Sequence, residues 1–172
     1  MAEWLRSGLQ SRVRQFDPDR GLHLLLKYGR TRRIIISVEE NKRVVHEFFN
    51  AVSNDNFEVA LSVLDVDIVW TIIGDTPVSK TFRGLKDVEE NLLKEIFRCT
   101  KREVGINLEV VETISEGDKV VARVQGTVEA KYGPYNNTYC HVFKVRDGKI
   151  IEDIEYLDTA LIQKTWYGRT LN

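Results

Sequence analysis

Disulfide, metal and membrane chemistry all have little to work with in this sequence. Its 172 residues hold two cysteines, three histidines, three prolines and one methionine. Cys99 and Cys140 are too few for a disulfide framework and lack a metal-type spacing, which suits a reducing, cytoplasmic setting. His23, His46 and His141 are scattered, so no metal site is expected. No apolar run approaches the roughly 18 residues of a membrane span, and the start lacks the apolar core of a secretory leader. The formal net charge is −1, with 42% hydrophobic and 30% charged residues, which argues against both disorder and bulk nucleic-acid binding. What remains is one domain with a real core, plus an appendage.

The charges that are present lie unevenly. Residues 1–38 carry eight Lys/Arg against three acids, leaving 17 basic and 23 acidic side chains downstream. The change coincides with SVEENKRVV, which reads as the opening of a complete domain. The expected division is therefore a basic extension over 1–37, poorly ordered, and a folded domain over 38–172. Removing the extension is expected to leave the fold intact.

Ser37 followed by Glu40 is a capping-box pattern. Behind it Val44, Val45, Phe48, Phe49 and Val52 recur at helical spacing and predict a helix over 38–53. Asn54 or Asp55 then caps a short second helix carrying Phe57, Ala60, Leu61 and Leu64. VDIVWTII (66–73) is β-branched and aromatic and reads as a strand. After Gly84 a third helix runs to about Phe97. From residue 103 the period changes to two, giving strands over 106–114, 120–130, 137–145 and 149–157. Helices first and long antiparallel strands afterwards make an α+β layout.

Three segments carry a family resemblance: VEENKRVVHEFFNAV, FRGLKDVEENL and VFKVRDGKIIEDIEYLDTAL. With them the chain resembles the SnoaL-like branch of the nuclear transport factor 2-like superfamily, relatives of polyketide cyclases and ketosteroid isomerases, over about residues 38–165. The resemblance implies a cone: a curved antiparallel sheet with about three helices packed on its concave side. This scaffold hosts several activities, so roles transfer only residue by residue. The base of the ketosteroid isomerases would fall near Thr71, which takes up no proton, and their oxyanion acid at His141. The Arg-x-Asp of epoxide-hydrolase relatives reads Val124-Gln125-Gly126 here, so it is broken. The last-strand acid survives as Glu155. Cyclase relatives pair that acid with a His fourteen residues earlier, the spacing of His141 and Glu155.

Whether those two side chains share a face depends on the hairpin. A two-residue Asp147-Gly148 turn places Glu155 opposite to His141's face. A three-residue Arg146-Asp147-Gly148 loop with Gly148 at positive φ shifts the register by one. Tyr139, His141, Phe143, Asp153, Glu155 and Leu157 then share one face, and Cys140, Val142, Ile150, Ile154 and Tyr156 the other. Periodicity favours the first arrangement, since Ile150, Ile154 and Tyr156 form the greasier face. The resemblance, and an outer apolar face suited to a partner subunit, favour the second.

In the second register, His141, Glu155 and Asp153 are the candidate catalytic groups. Trp70, Tyr139, Phe143, Leu157 and Val124 are candidate substrate contacts. Carboxyl and imidazole groups tuned towards neutrality suit proton transfer next to a carbonyl, with no cofactor. The expected function is a cofactor-independent cyclase or isomerase acting on a small apolar carbonyl compound. The competing readings are a non-catalytic binder of small hydrophobic ligands and a dimerisation module. A homodimer is expected; a nucleic-acid or membrane partner is not.

Overall fold

Residues 38–170 are described by the computed structural model of this chain. The basic extension and the Ser37 cap lie outside them. α1 spans 38–53 and buries Val44, Val45, Phe48 and Phe49, the stripe its spacing predicts. Asn54 and Asp55 finish α1 and do not start the next helix. The Asn54 side chain donates back to the Asn50 carbonyl at 2.7 Å, and Asp55 turns the chain at φ 55°. The cap of α2 (Phe57–Ser62) is instead Asn56, whose side chain accepts from the Val59 amide. β1 (Leu64–Ile72) and β2 (Thr81–Arg83) follow.

The third helix is built in three pieces: α3 (Leu85–Asp87), a π-helical segment (Val88–Leu93) and α4 (Lys94–Cys99). The wider π turn interrupts the ordinary helical period and often sits at functional sites. Here Leu92 and Leu93, adjacent in sequence, both reach the same cavity wall.

The rest is sheet: β3 (Ile106–Glu116), β4 (Lys119–Ala130), a short β5 (Gly133–Pro134), β6 (Thr138–Arg146) and β7 (Lys149–Tyr156). The strand order is β2-β1-β7-β6-β4-β3, antiparallel throughout except that β1 runs parallel to β7. The sheet curls around the helices, the α+β cone that the resemblance implies. Strict alternation puts Val120, Ala122, Val124 and Val128 of β4 inside. A last helix, α5 (Thr159–Thr165), was not anticipated. Asp158 caps this helix, its side chain accepting from the amides of Ala160 and Leu161.

The hairpin corrects one expectation and explains it. Arg146 pairs with Lys149 across a two-residue turn, with φ of 52° at Asp147 and 75° at Gly148. Both residues are left-handed, as a type I′ turn requires. The three-residue loop is therefore not formed, although Gly148 does have positive φ. Yet His141 still faces Glu155, because Val145 pairs with Ile150 while Lys144 pairs with Glu152. Ile151 is the extra residue of a β-bulge, and one extra residue reverses the faces beyond it. Ile150 thus turns inward and is fully buried, contrary to the outer-face assignment, while Tyr156 stays exposed outside.

Candidate active site

β6 and β7 supply the central groups from neighbouring positions. His141 lies directly across from Glu155, and Phe143 across from Asp153. The Asp153 carboxylate sits 2.9 Å from His141 Nδ1, so the proton of that ring nitrogen is shared with Asp153 and Nε2 is left for chemistry. On the other side, the Trp70 indole N–H donates to Glu155 Oε2 at 2.9 Å. The imidazole is held by rings. Phe143 stacks on it at 5.2 Å and nearly parallel, and Phe49 meets it edge-on at 5.2 Å. His141, Asp153 and Glu155 are all buried.

Burial opposes a charge on His141, but the Asp153 carboxylate, its hydrogen bond and Glu155 together hold the imidazole above its ordinary value of 6.5. Burial drives the Asp153 carboxyl upward, with His141 pulling it back. Burial also raises Glu155, against the opposing pull of His141 and with support from Asp153. All three groups bind protons more readily folded than unfolded. Their stabilisation is complete below the unfolded values, 3.8 and 4.5 for the acids and 6.5 for the histidine, and is lost as pH rises through the folded ones. Asp153→Asn removes one titration and the hold on His141. Between about pH 6 and about pH 9 the wild type should therefore lose more stability than the variant, read from urea midpoints. A wild type that loses less would contradict the ion pair.

Among the described residues, one group could hold a metal ion: one ligand atom each from His141, Asp153 and Glu155 lies within 4.8 Å of the others. Coordination through Nδ1 would displace the proton that His141 shares with Asp153, so ion pairing and metal binding compete there.

His141 and Glu155 open onto an apolar cavity of about 100 Å³ beneath α1, the π-helical segment and α5. His141, Glu155, Trp70, Tyr139 and Leu157 line it, as the sequence suggests. Asp153 stands behind His141. Phe143 presses on the imidazole, and Val124 is buried in the sheet opposite Tyr139, so neither forms cavity wall. Thr71 bonds Thr81 at 3.0 Å and is no part of the wall, whereas its neighbours Trp70 and Ile72 are. Sequence reasoning missed Tyr135, Ile162 and Trp166, which also line the cavity. The signal for the last two was present: Asp158 as cap, then apolar residues at 161, 162 and 166 in helical spacing.

The SnoaL-like domain family matches residues 45–153, and this chain belongs to it. No similar sequence is found among curated proteins. Solved structures share the fold. An NTF2-like protein from Burkholderia xenovorans is 23% identical, with TM-score 0.60 over 75% of this chain and 97% of that one. An LEH-like epoxide hydrolase of M. tuberculosis is 22% identical, with TM-score 0.60 over 76% and 92%. TerC, co-crystallised with polyporic acid, is 21% identical, with TM-score 0.64 over 74% and 98%. Among the described residues no helix is long and apolar enough to cross a membrane.

Proposed function

We propose that this protein is a cofactor-independent isomerase or cyclase that moves a proton next to the carbonyl of a small apolar compound. The observation that carries the reading is the buried acid–base set: Asp153 on one nitrogen of His141, and Glu155 facing the same imidazole in an apolar cavity. Glu155 takes a proton from the carbon beside the carbonyl. That C–H bond breaks, an O–H bond forms on Glu155, and the electron pair moves onto the carbonyl oxygen as an enolate. Returning the proton to another carbon isomerises the compound; attack of the enolate carbon on a second carbonyl closes a ring, the π pair of that carbonyl passing to its oxygen, which takes the proton back from Glu155. His141 exchanges protons with Glu155, and its Asp153 partner stabilises the imidazolium.

Hydrogen–deuterium exchange tests this before any physiological substrate is known. A neutral bicyclic ketone such as 1-tetralone, incubated in D2O, should incorporate deuterium at its α-carbon far faster with the protein than in buffer. Ketone binding without exchange would leave a ligand-binding protein.

The same reading includes a homodimer through the outer face of the sheet. The pairing aligns Thr71, Ile154, Val142, Val121 and Ile114 in one row across five strands. Charged pairs flank it, Arg123 with Glu112 on one side and Lys144 beside Glu152 on the other, while Cys140 and Tyr156 continue the row that holds Arg123. An apolar stripe with a polar border suits a self-complementary contact. Light scattering at micromolar concentration should give twice the chain mass, and Val142→Asp should halve it. A monomeric wild type would contradict this assembly.

A further inference from the structure

A second polar cluster lies along β6 from the acid–base set, and its hydrogen bonds fix the direction of one proton. Asn137 is almost fully buried. Its Oδ1 accepts from the Asp158 amide at 3.1 Å, while its Nδ2 donates to the Asp158 carbonyl at 3.1 Å. A backbone amide donates and a carbonyl accepts, so this pair of bonds settles which end of the Asn137 side chain is nitrogen. The same Nδ2 donates to the Tyr135 hydroxyl at 3.0 Å. The Tyr135 oxygen is therefore an acceptor from Asn137. Its own hydrogen is donated to nothing among the described residues.

One further donor stands nearby without an acceptor, while the Tyr139 hydroxyl is turned to that of Tyr135. The Trp166 ring meets that of Tyr135 edge-on at 5.2 Å, and its indole N–H is buried without a partner. The Tyr139 ring lies 6.4 Å from Tyr135 and 5.8 Å from His141. All three side chains line the cavity. Burial pushes the phenols of Tyr135 and Tyr139 well above their ordinary range, so both keep their protons at neutral pH. A buried donor without an acceptor is costly, and a ligand oxygen removes that cost.

We infer that Tyr135, oriented by Asn137, donates its hydroxyl proton to the acceptor oxygen of a neutral carbonyl ligand, with the Trp166 indole as a flanking donor. The charge of the ligand follows from the walls. No Lys or Arg lines the cavity, while the Glu155 carboxyl does. Carboxylates and phosphates would meet no Lys or Arg there and would face the Glu155 carboxyl, whereas a ketone, enone or quinone oxygen meets two neutral donors. Recognition of the oxygen stands by itself. Its catalytic value, stabilising the enolate that forms when Glu155 takes the proton, rests on the proposed function.

The test compares 1-tetralone with tetralin, the hydrocarbon that lacks the oxygen. Wild type should bind the ketone about tenfold more tightly, the order expected for one buried hydrogen bond. The bound carbonyl stretch should shift to lower frequency than in an apolar solvent. Tyr135→Phe should bring the two affinities to within about twofold and move the stretch back up, with a melting curve confirming the fold. Asn137→Leu frees the hydroxyl to turn and should weaken the shift while Tyr135 remains. An unchanged stretch in Tyr135→Phe, equal wild-type affinities for ketone and hydrocarbon, or no binding of either would overturn the inference. The proton-transfer reading fails separately: a Tyr135-dependent shift without α-deuterium exchange refutes that reading and leaves the oxygen site standing.

Discussion

Glu155→Gln should lower the rate of α-proton exchange by at least about 100-fold, the usual scale for losing a positioned general base. The substitution keeps the shape of the side chain and an oxygen able to accept the Trp70 indole N–H, now 2.9 Å from Oε2. It removes only the capacity to take a proton. Ketone affinity should change far less than the rate, because the inferred carbonyl contacts lie on Tyr135 and Trp166. Stability should hold or rise slightly, since burial already disfavours the charged carboxylate. Equal loss of binding and rate would make Glu155 a ligand contact, not a base. A variant that exchanges α-protons at the wild-type rate would remove Glu155 from the mechanism.

Phe49→Ala should destabilise the domain by roughly 3–5 kcal/mol, the range for deleting a buried aromatic side chain. Phe49 is fully enclosed, with Phe48 at 5.2 Å, His141 at 5.2 Å and Phe143 at 5.8 Å, each edge-on. Its removal opens a void beside the imidazole, and the neighbouring rings fill such voids only in part. A second effect follows. His141 is aligned by Asp153 at one nitrogen and by rings on its faces, so losing one ring loosens Nε2 without touching any proton-transfer group. Exchange should therefore slow even under conditions where the variant is fully folded. A urea midpoint near that of wild type would show that Phe49 is not the packing anchor described here.

The elements that the sequence announces are those with an uninterrupted period. The stripe of α1 and the alternation of β4 read directly, because each side chain meets one environment along the whole element. The meeting of His141 and Glu155 was legible for a different reason. Carboxylates on a strand are unusual, and the family resemblance paired Glu155 with His141. The route to that pairing was not legible. Counting from a two-residue turn places the two on opposite faces, and only the extra Ile151 restores them. Ile150 and Ile151 are chemically alike, so no local signal marks which of them bulges; tertiary packing of Ile150 against the core decides. The same holds for the π-helical segment, which leaves no mark in composition. Tyr135 and Asn137 escaped notice because they follow a Gly-Pro turn, where polar residues are ordinary. Their meaning lies in the bonds of Asn137 to Tyr135 and to Asp158, 21 residues away.

The carboxyl titration of Glu155, followed by NMR and assigned by the signal missing in Glu155→Gln, tests the central claim most directly. A buried general base facing His141 across an apolar cavity should titrate above its ordinary value of 4.5 and should shift when His141 is replaced by Gln. A titration at or below that value, indifferent to His141, would contradict the account and leave Glu155 as a strand acid without a catalytic part.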